Sequence, residues 1–264
     1  MPTANAVYYW RTELRLDSTE RAFLKTCDIR RIYCRYFDVT MRDGEPMPNA
    51  TIAFADTLPE GVELVPTVFI TEDCMHDAHE GLARKLVARI MQMSATHDIG
   101  GVRELQLDCD FTHRSRHVFY RFLEEVRAET ARHGLRLSAT IRLHQLSMPP
   151  PPADYGVLML YNTGDPRNFN KRNPVLDRRD VLPYVSRLRD YAMPLAAAYP
   201  VYSWQRTIYG VHVEHTVEAA EILAVKEMVE NAQPALANTI ITYHLDKVNI
   251  NRYTPEDYEA IYRH

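Results

Sequence analysis

Asp108 and Asp110 stand two residues apart in a run where Gln106, Asp108 and Asp110 alternate with Leu105, Leu107 and Cys109. A period of two marks a strand with two unlike faces, so both carboxylates leave the same face near the strand's C-terminal end. Like charges that close do not readily ionise together. One carboxyl is pushed up and becomes able to donate a proton near neutral pH, which suits acid/base work. Two plainer readings stand beside this one: Asp110 as the N-cap of the helix that follows, and an Arg–Asp network that only holds the fold together.

The surrounding elements must present that face to a ligand. From Ser115 to about His133, Val118, Phe119, Phe122, Leu123 and Val126 recur at helical spacing, and Leu137 to Leu143 reads as the next strand. Strand, helix, strand is one unit of an α/β barrel, whose strand C-termini form the active face. The rest of the chain repeats the pattern. Further strands are expected at Val7–Leu16, Ile32–Val39, Val62–Thr71, Tyr155–Tyr161, Met193–Trp204 and Ala237–Leu245, which gives eight in all. Helices are expected over Glu20–Thr26, His76–His97, Val175–Tyr191, Val217–Asn231 and Thr254–Tyr262. Residues 40–61 read as an irregular excursion, 165–174 as a polar loop and 205–216 as an inserted loop or hairpin. Eight alternating units predict a single-domain (β/α)8 TIM-like barrel over residues 1–264, with a doubly wound open sheet as the competing fold.

Barrel interiors are usually bulky and apolar, yet several of these strands carry a polar face. Strand five offers Ser138, Thr140, Arg142 and His144, strand two offers Arg35, and strand one offers Arg11 and Glu13. Buried charges are costly unless paired, so such an interior implies a satisfied network or a ligand site. Trp10, Tyr36, Tyr161, Tyr202, Trp204 and Tyr243 fall near strand C-termini, where aromatic faces can serve as platforms for sugars; core packing is the plainer role for each. His144 with Gln145, and His244 with Asp246, end strands five and eight and join the candidates. An anionic substrate held by Arg11, Arg35 and Arg142 is the alternative chemistry. The groups His76/His79/Glu80, His113/His117 and His212/His215 read as solvated surface rather than metal ligands. No GxSxG elbow and no GxGxxG or Walker loop occurs, so neither a serine triad nor a nucleotide cofactor is expected.

The chain has 264 residues and a net charge of −4, with no basic block, which argues against a nucleic-acid partner. No apolar run reaches membrane-spanning length. Cys27, Cys34, Cys74 and Cys109 show no CxxC spacing and read as free thiols. Met1 leads almost directly into a strand-like run, which fits a native cytoplasmic start and equally an exported chain trimmed of its signal. The oligomeric state is left open.

Around Asp108 the sequence resembles the chitinase-type glycoside hydrolases of family eighteen, which include endo-β-N-acetylglucosaminidases. Their strand-four signature, DxxDxDxE, is matched by Asp108 at its third acid, while Arg103, Gln106 and Asp110 stand at its other three marked positions. The family's strand-six MxYD is similar to Met159-Leu160-Tyr161-Asn162, followed by Gly164. Its strand-seven GxPxYG is similar to Ala198-Tyr199-Pro200-Val201-Tyr202-Ser203. The order and spacing agree over about residues 102–204. The resemblance implies a barrel acting on a glycan, possibly one containing N-acetylglucosamine, through substrate-assisted hydrolysis. By position, Asp110 would be the acid, Asp108 the orienting group and Tyr161 the hydroxyl on the acetamido oxygen, with Asn162 as a polar contact. Gln106, Arg142, His144, Gln145, Tyr202, Trp204, Trp10, Arg11, Arg35, His244 and Asp246 complete the candidate set. A non-catalytic carbohydrate-binding barrel is the alternative.

Overall fold

The computed structural model describes residues 3–165, 172–208 and 211–264. Eight parallel strands form a ring: β1 Ala4–Tyr9, β2 Ile29–Arg42, β3 Glu63–Ile70, β4 Glu104–Cys109, β5 Arg136–Arg142, β6 Tyr155–Met159, β7 Leu195–Pro200 and β8 Thr239–Tyr243. Each pairs with its sequence neighbours, and β1 pairs with both β8 and β2. That last pairing closes the ring and excludes the open doubly wound sheet. The helices are α1 Ser18–Thr26, α2 Leu82–Thr96, α3 Arg116–Arg132, α4 Arg178–Val181, α5 Val185–Arg189, α6 Ala219–Ala232, α7 Lys247–Ile250 and α8 Pro255–Ile261.

Local chemistry explains where these elements start. Asp17 and Glu20 form a reciprocal capping box that opens α1, each carboxylate accepting from the other's backbone N–H at 2.8–2.9 Å. Thr254 and Asp257 do the same for α8, with Pro255 in its first turn. α3 buries Phe119, Phe122, Leu123 and Val126 against the barrel, as their spacing requires.

Several boundaries differ from the sequence reading. The first strand ends at Tyr9 instead of Leu16, and Glu13–Leu14 pairs separately with Ala53–Phe54. Within residues 40–61 the chain turns back along the end of β2 as an antiparallel strand, Glu45–Asn49. The helix expected over Val175–Tyr191 is broken into α4, a 3-10 turn at Leu182–Tyr184 and α5. Pro183 lies at the break, and a proline inside a helix removes a donor and crowds the preceding turn. Trp204 lies beyond β7 and opens a hairpin, Trp204–Ile208 against Val211–His215, within the expected insertion at 205–216. Residues 209–210 of that insertion, and 166–171 of the expected polar loop, lie outside the described residues.

The apolar core has two parts. One fills the space between barrel and helices; the other lies inside the barrel and includes Tyr8, Tyr33, Val65, Tyr155, Val157, Met159, Ala196 and Ala198. Small residues on β7 leave room for tyrosines from β1, β2 and β6. Their hydroxyls find partners: Tyr33 and Tyr155 lie 2.9 Å apart, and Tyr8 donates to Gln106 Oε1 at 2.8 Å. Toward the strand N-termini, Arg31 pairs with Glu63 at 3.4 Å and Arg136 with Glu104 at 3.6 Å.

Gly156 on β6 sits where a Cβ would come within 2.7 Å of Leu195 Cδ2 and 2.8 Å of Ile141 Cγ1. Gly156→Ala is therefore expected to destabilise the fold by about 1–3 kcal/mol through overpacking, measurable by urea unfolding.

Candidate active site

Asp108 and Asp110 leave the C-terminal end of β4 toward the barrel mouth, and Arg142, at the end of the adjacent β5, faces both. Its Nε donates to Asp110 Oδ1, and its terminal nitrogen lies 3.9 Å from Asp108 Oδ1. Thr140, one turn of the pleat deeper on β5, donates to the same Asp108 oxygen at 2.7 Å. The two acids differ in environment: the Asp110 side chain is 52% exposed and that of Asp108 4%. Asp110 is not a helix cap. α3 begins at Arg116 after Ser115, and Ser115 Oγ accepts from the backbone N–H of Thr112 in the connecting loop.

Burial pushes the Asp108 carboxyl above its ordinary value. Arg142 and the Thr140 hydrogen bond oppose this, and the charges of Asp110 and Asp38 add to it. Burial also works against the charge on Arg142, but the two aspartates more than offset that, so its guanidinium is held above its usual value. The sign of the Asp108 shift sets a pH dependence. A carboxyl whose folded value is raised contributes stability that is fully present below its unfolded value, about 3.9, and lost as pH rises through the raised value. The stability of the wild type relative to Asp108→Asn is thus expected to increase as pH falls from 7 toward 4. Urea unfolding of both proteins across that range checks the sign; a relative decrease with acid would contradict it.

A cavity of about 300 Å³ opens at this point, lined by Asp110, Arg142, His144, Tyr161, Asn162 and Tyr184. That volume is at the lower end of small-molecule sites. The Tyr161 hydroxyl is buried and has no hydrogen-bond partner among the described residues, an unsatisfied group of a kind that is rare in folded proteins. Its ring packs against Tyr243 with centroids 4.7 Å apart, and Arg142 lies over it at 5.8 Å. Asn162 adopts a left-handed backbone, φ 53°, which asparagine tolerates better than most residues. Its Oδ1 accepts from the Tyr202 hydroxyl at 2.6 Å.

The other candidates fall elsewhere. Gln106 is fully buried below the cavity, bonded to Tyr8 and Ser138. Gln145 is also buried; it accepts from the Arg142 N–H at 2.8 Å and donates to Phe111 O at 2.9 Å, bracing the ends of β5 and β4. Trp10 lies on the opposite side of the mouth, 5.8 Å from Tyr243, with Arg35 over its ring. Arg11 lies past the end of β1, where it donates to Glu20 at 2.7 Å and comes within 4.0 Å of Asp246. Asp246 caps α7. His244 is half-buried, and burial lowers its pKa. Trp204 stacks on His215 in the hairpin. The three arginines considered for an anion each face a carboxylate of the chain itself.

Two residues beside the candidate site are not legible in the alternation of residues. Asp38 makes two hydrogen bonds with Arg35, its charge acts on Asp108, and it is 7% exposed. Residues three apart on a regular strand face opposite ways, but a register shift between Arg35 and Phe37 brings both to the interior. Tyr184 reaches the cavity because the expected helix breaks beside it. Among the described residues no group of three acidic, histidine or cysteine side chains could hold a metal ion, and no helix is long and apolar enough to cross a membrane. The four cysteines are unpaired.

No protein family is matched by this chain, and no curated protein matches it. Solved structures do share its fold. The spore cortex-lytic enzyme SleL of Bacillus megaterium is similar with a TM-score of 0.63 and 13% identity, over 99% of this chain and 74% of that one. A chitinase of Chromobacterium violaceum gives 0.57 and 15% over 94% and 97% of the two chains. A chitinase of Bacteroides thetaiotaomicron gives 0.61 and 10% over 99% and 97%. At these identities the likeness is one of fold, the closed α/β barrel.

Proposed function

We propose that this chain is a glycoside hydrolase-like barrel that takes a glycan, of the N-acetylglucosamine-containing kind, at its C-terminal mouth. In this reading Asp110 protonates the leaving glycosidic oxygen. The substrate's acetamido oxygen attacks the anomeric carbon, Asp108 orients that group and offsets its developing charge, and Tyr161 donates to the acetamido oxygen. The observation that carries the reading is the exposure of Asp110 on a cavity that Tyr161 also lines, with Asp108 behind it. The similar fold of chitinases and of a spore cortex-lytic enzyme adds support. Arg142 Nε donates to Asp110 Oδ1, which in this reading leaves Oδ2 to face the leaving oxygen. Aspartate is one methylene shorter than the glutamate of the family pattern. Misplacement of about 1 Å can cost on the order of a hundredfold, so turnover is slow.

A second reading, glycan binding without hydrolysis, is favoured by one specific observation: the proposed acid is held by the Arg142 guanidinium. Prolonged incubation with N-acetylglucosamine oligomers and aryl glycosides, alongside calorimetric titration, separates the two. Products that vanish in Asp110→Asn support the hydrolase. Binding without products selects the second reading, and neither binding nor products removes both.

A further inference from the structure

Asp110 lies past the last paired residue of its strand on both sides. The ladder between β3 and β4 ends at Ile70 and Cys109, and the ladder between β4 and β5 ends at Leu107 and Ala139. The backbone that carries the proposed acid is therefore held by something other than the sheet. On the β5 side, Gln145 donates to Phe111 O at 2.9 Å, and the buried Phe111 ring stacks on Phe119 with centroids 5.1 Å apart. On the β3 side the partner is a carboxylate. Glu72 opens the 3-10 turn Glu72–Met75 that follows β3, and its Oε1 accepts from the Thr112 hydroxyl and from the Ser115 hydroxyl, each at 2.8 Å.

These bonds close on one another. Ser115 is fully buried and its Oγ accepts from the Thr112 N–H at 3.0 Å, while Thr112 Oγ1 accepts from the Arg114 N–H at 3.2 Å. The turn that carries Glu72 is itself fixed: Cys74 and Met75 are buried, and the Thr71 N–H donates to Val39 O of β2 at 3.0 Å. Hydroxyls donated to an ionised carboxylate make stronger bonds than neutral pairs do. The Thr112 and Ser115 hydroxyls hold the Glu72 carboxyl below its usual value, so it is charged at neutral pH. We propose that Glu72 is a positioning residue: by holding Thr112 and Ser115 it sets the place of Asp110 opposite Arg142. The effect on turnover rests on the proposed function; the placement does not.

The Arg142 Nε–H donates to Asp110 Oδ1, so its 1H–15N resonance, assigned with Arg142→Met, reports where Asp110 stands. In Glu72→Ala that resonance should shift, and exchange of the Thr112 and Arg114 amides should quicken by about tenfold as the loop opens more often. Glu72→Gln keeps an acceptor oxygen for both hydroxyls and should hold both signals near wild type. Thr112→Val removes one donor at an exposed position, and its smaller shift in the same direction serves as the test if Glu72→Ala does not fold. Where the wild type hydrolyses N-acetylglucosamine oligomers, Glu72→Ala should lower kcat about tenfold with KM unchanged, since misplacement of about 1 Å can cost on the order of a hundredfold. An Arg142 resonance that stays in place in the folded variant, or a kcat that holds while the resonance moves, overturns the positioning role. No turnover by the wild type overturns the hydrolytic reading alone, and the resonance then decides the placement.

Discussion

Asp110→Asn is expected to lower hydrolysis of N-acetylglucosamine oligomers by about a hundred- to ten-thousandfold, the range that a positioned general acid contributes. The expectation follows from placement. Asp110 is the half-exposed member of the pair, on the cavity wall, while Asp108 is closed off behind it. Binding should survive in Asp110→Asn, because the amide keeps the shape of the wall and the Tyr161 hydroxyl is untouched. Asp110→Glu is the informative reverse: the added methylene should bring the acid nearer the leaving oxygen and raise the rate above wild type. Product release measured by chromatography over days decides both. If Asp110→Asn keeps wild-type turnover, the acid is some other group. If Asp110→Glu is no faster, reach is not what limits the site.

The second large effect concerns stability. Among the described residues Arg142 is the cation that faces both aspartates, and its side chain is 17% exposed. Removing one member of a buried ion pair leaves an uncompensated charge and costs about 3–5 kcal/mol. Arg142→Met should lose about that much at pH 7, and much of it should return in the double variant Arg142→Met/Asp108→Asn, where the stranded carboxylate is gone. Urea unfolding of wild type, both single variants and the double variant closes the cycle. Additive losses would mean that Arg142 and Asp108 do not interact across their 3.9 Å separation.

The central unit, β4 to β5, was readable because its alternation is clean: Leu105 and Leu107 turn outward while Gln106, Asp108 and Asp110 turn in. The eight-unit barrel followed from the same pattern repeated. Strand limits were less legible. Val7–Leu16 looks continuous in composition, but the chain leaves the ring at Tyr9, and this carries Arg11 away from the interior. The Arg35–Asp38 pair was hidden by a register shift that no periodicity can reveal, and Tyr184 by a helix that Pro183 interrupts. Gln145 was singled out for standing at a strand end, yet its bonds run to the backbone of Arg142 and Phe111. Side-chain type does not say which way such a group points; only the fold shows it.

The most direct measurement is a crystal of Asp110→Asn soaked with an N-acetylglucosamine oligomer. The account predicts a sugar in the cavity beside Arg142 and His144, with its acetamido oxygen within hydrogen-bond distance of the Tyr161 hydroxyl. An oligomer bound elsewhere on the barrel, or seated in the cavity with its acetamido group turned away from Tyr161, would contradict it.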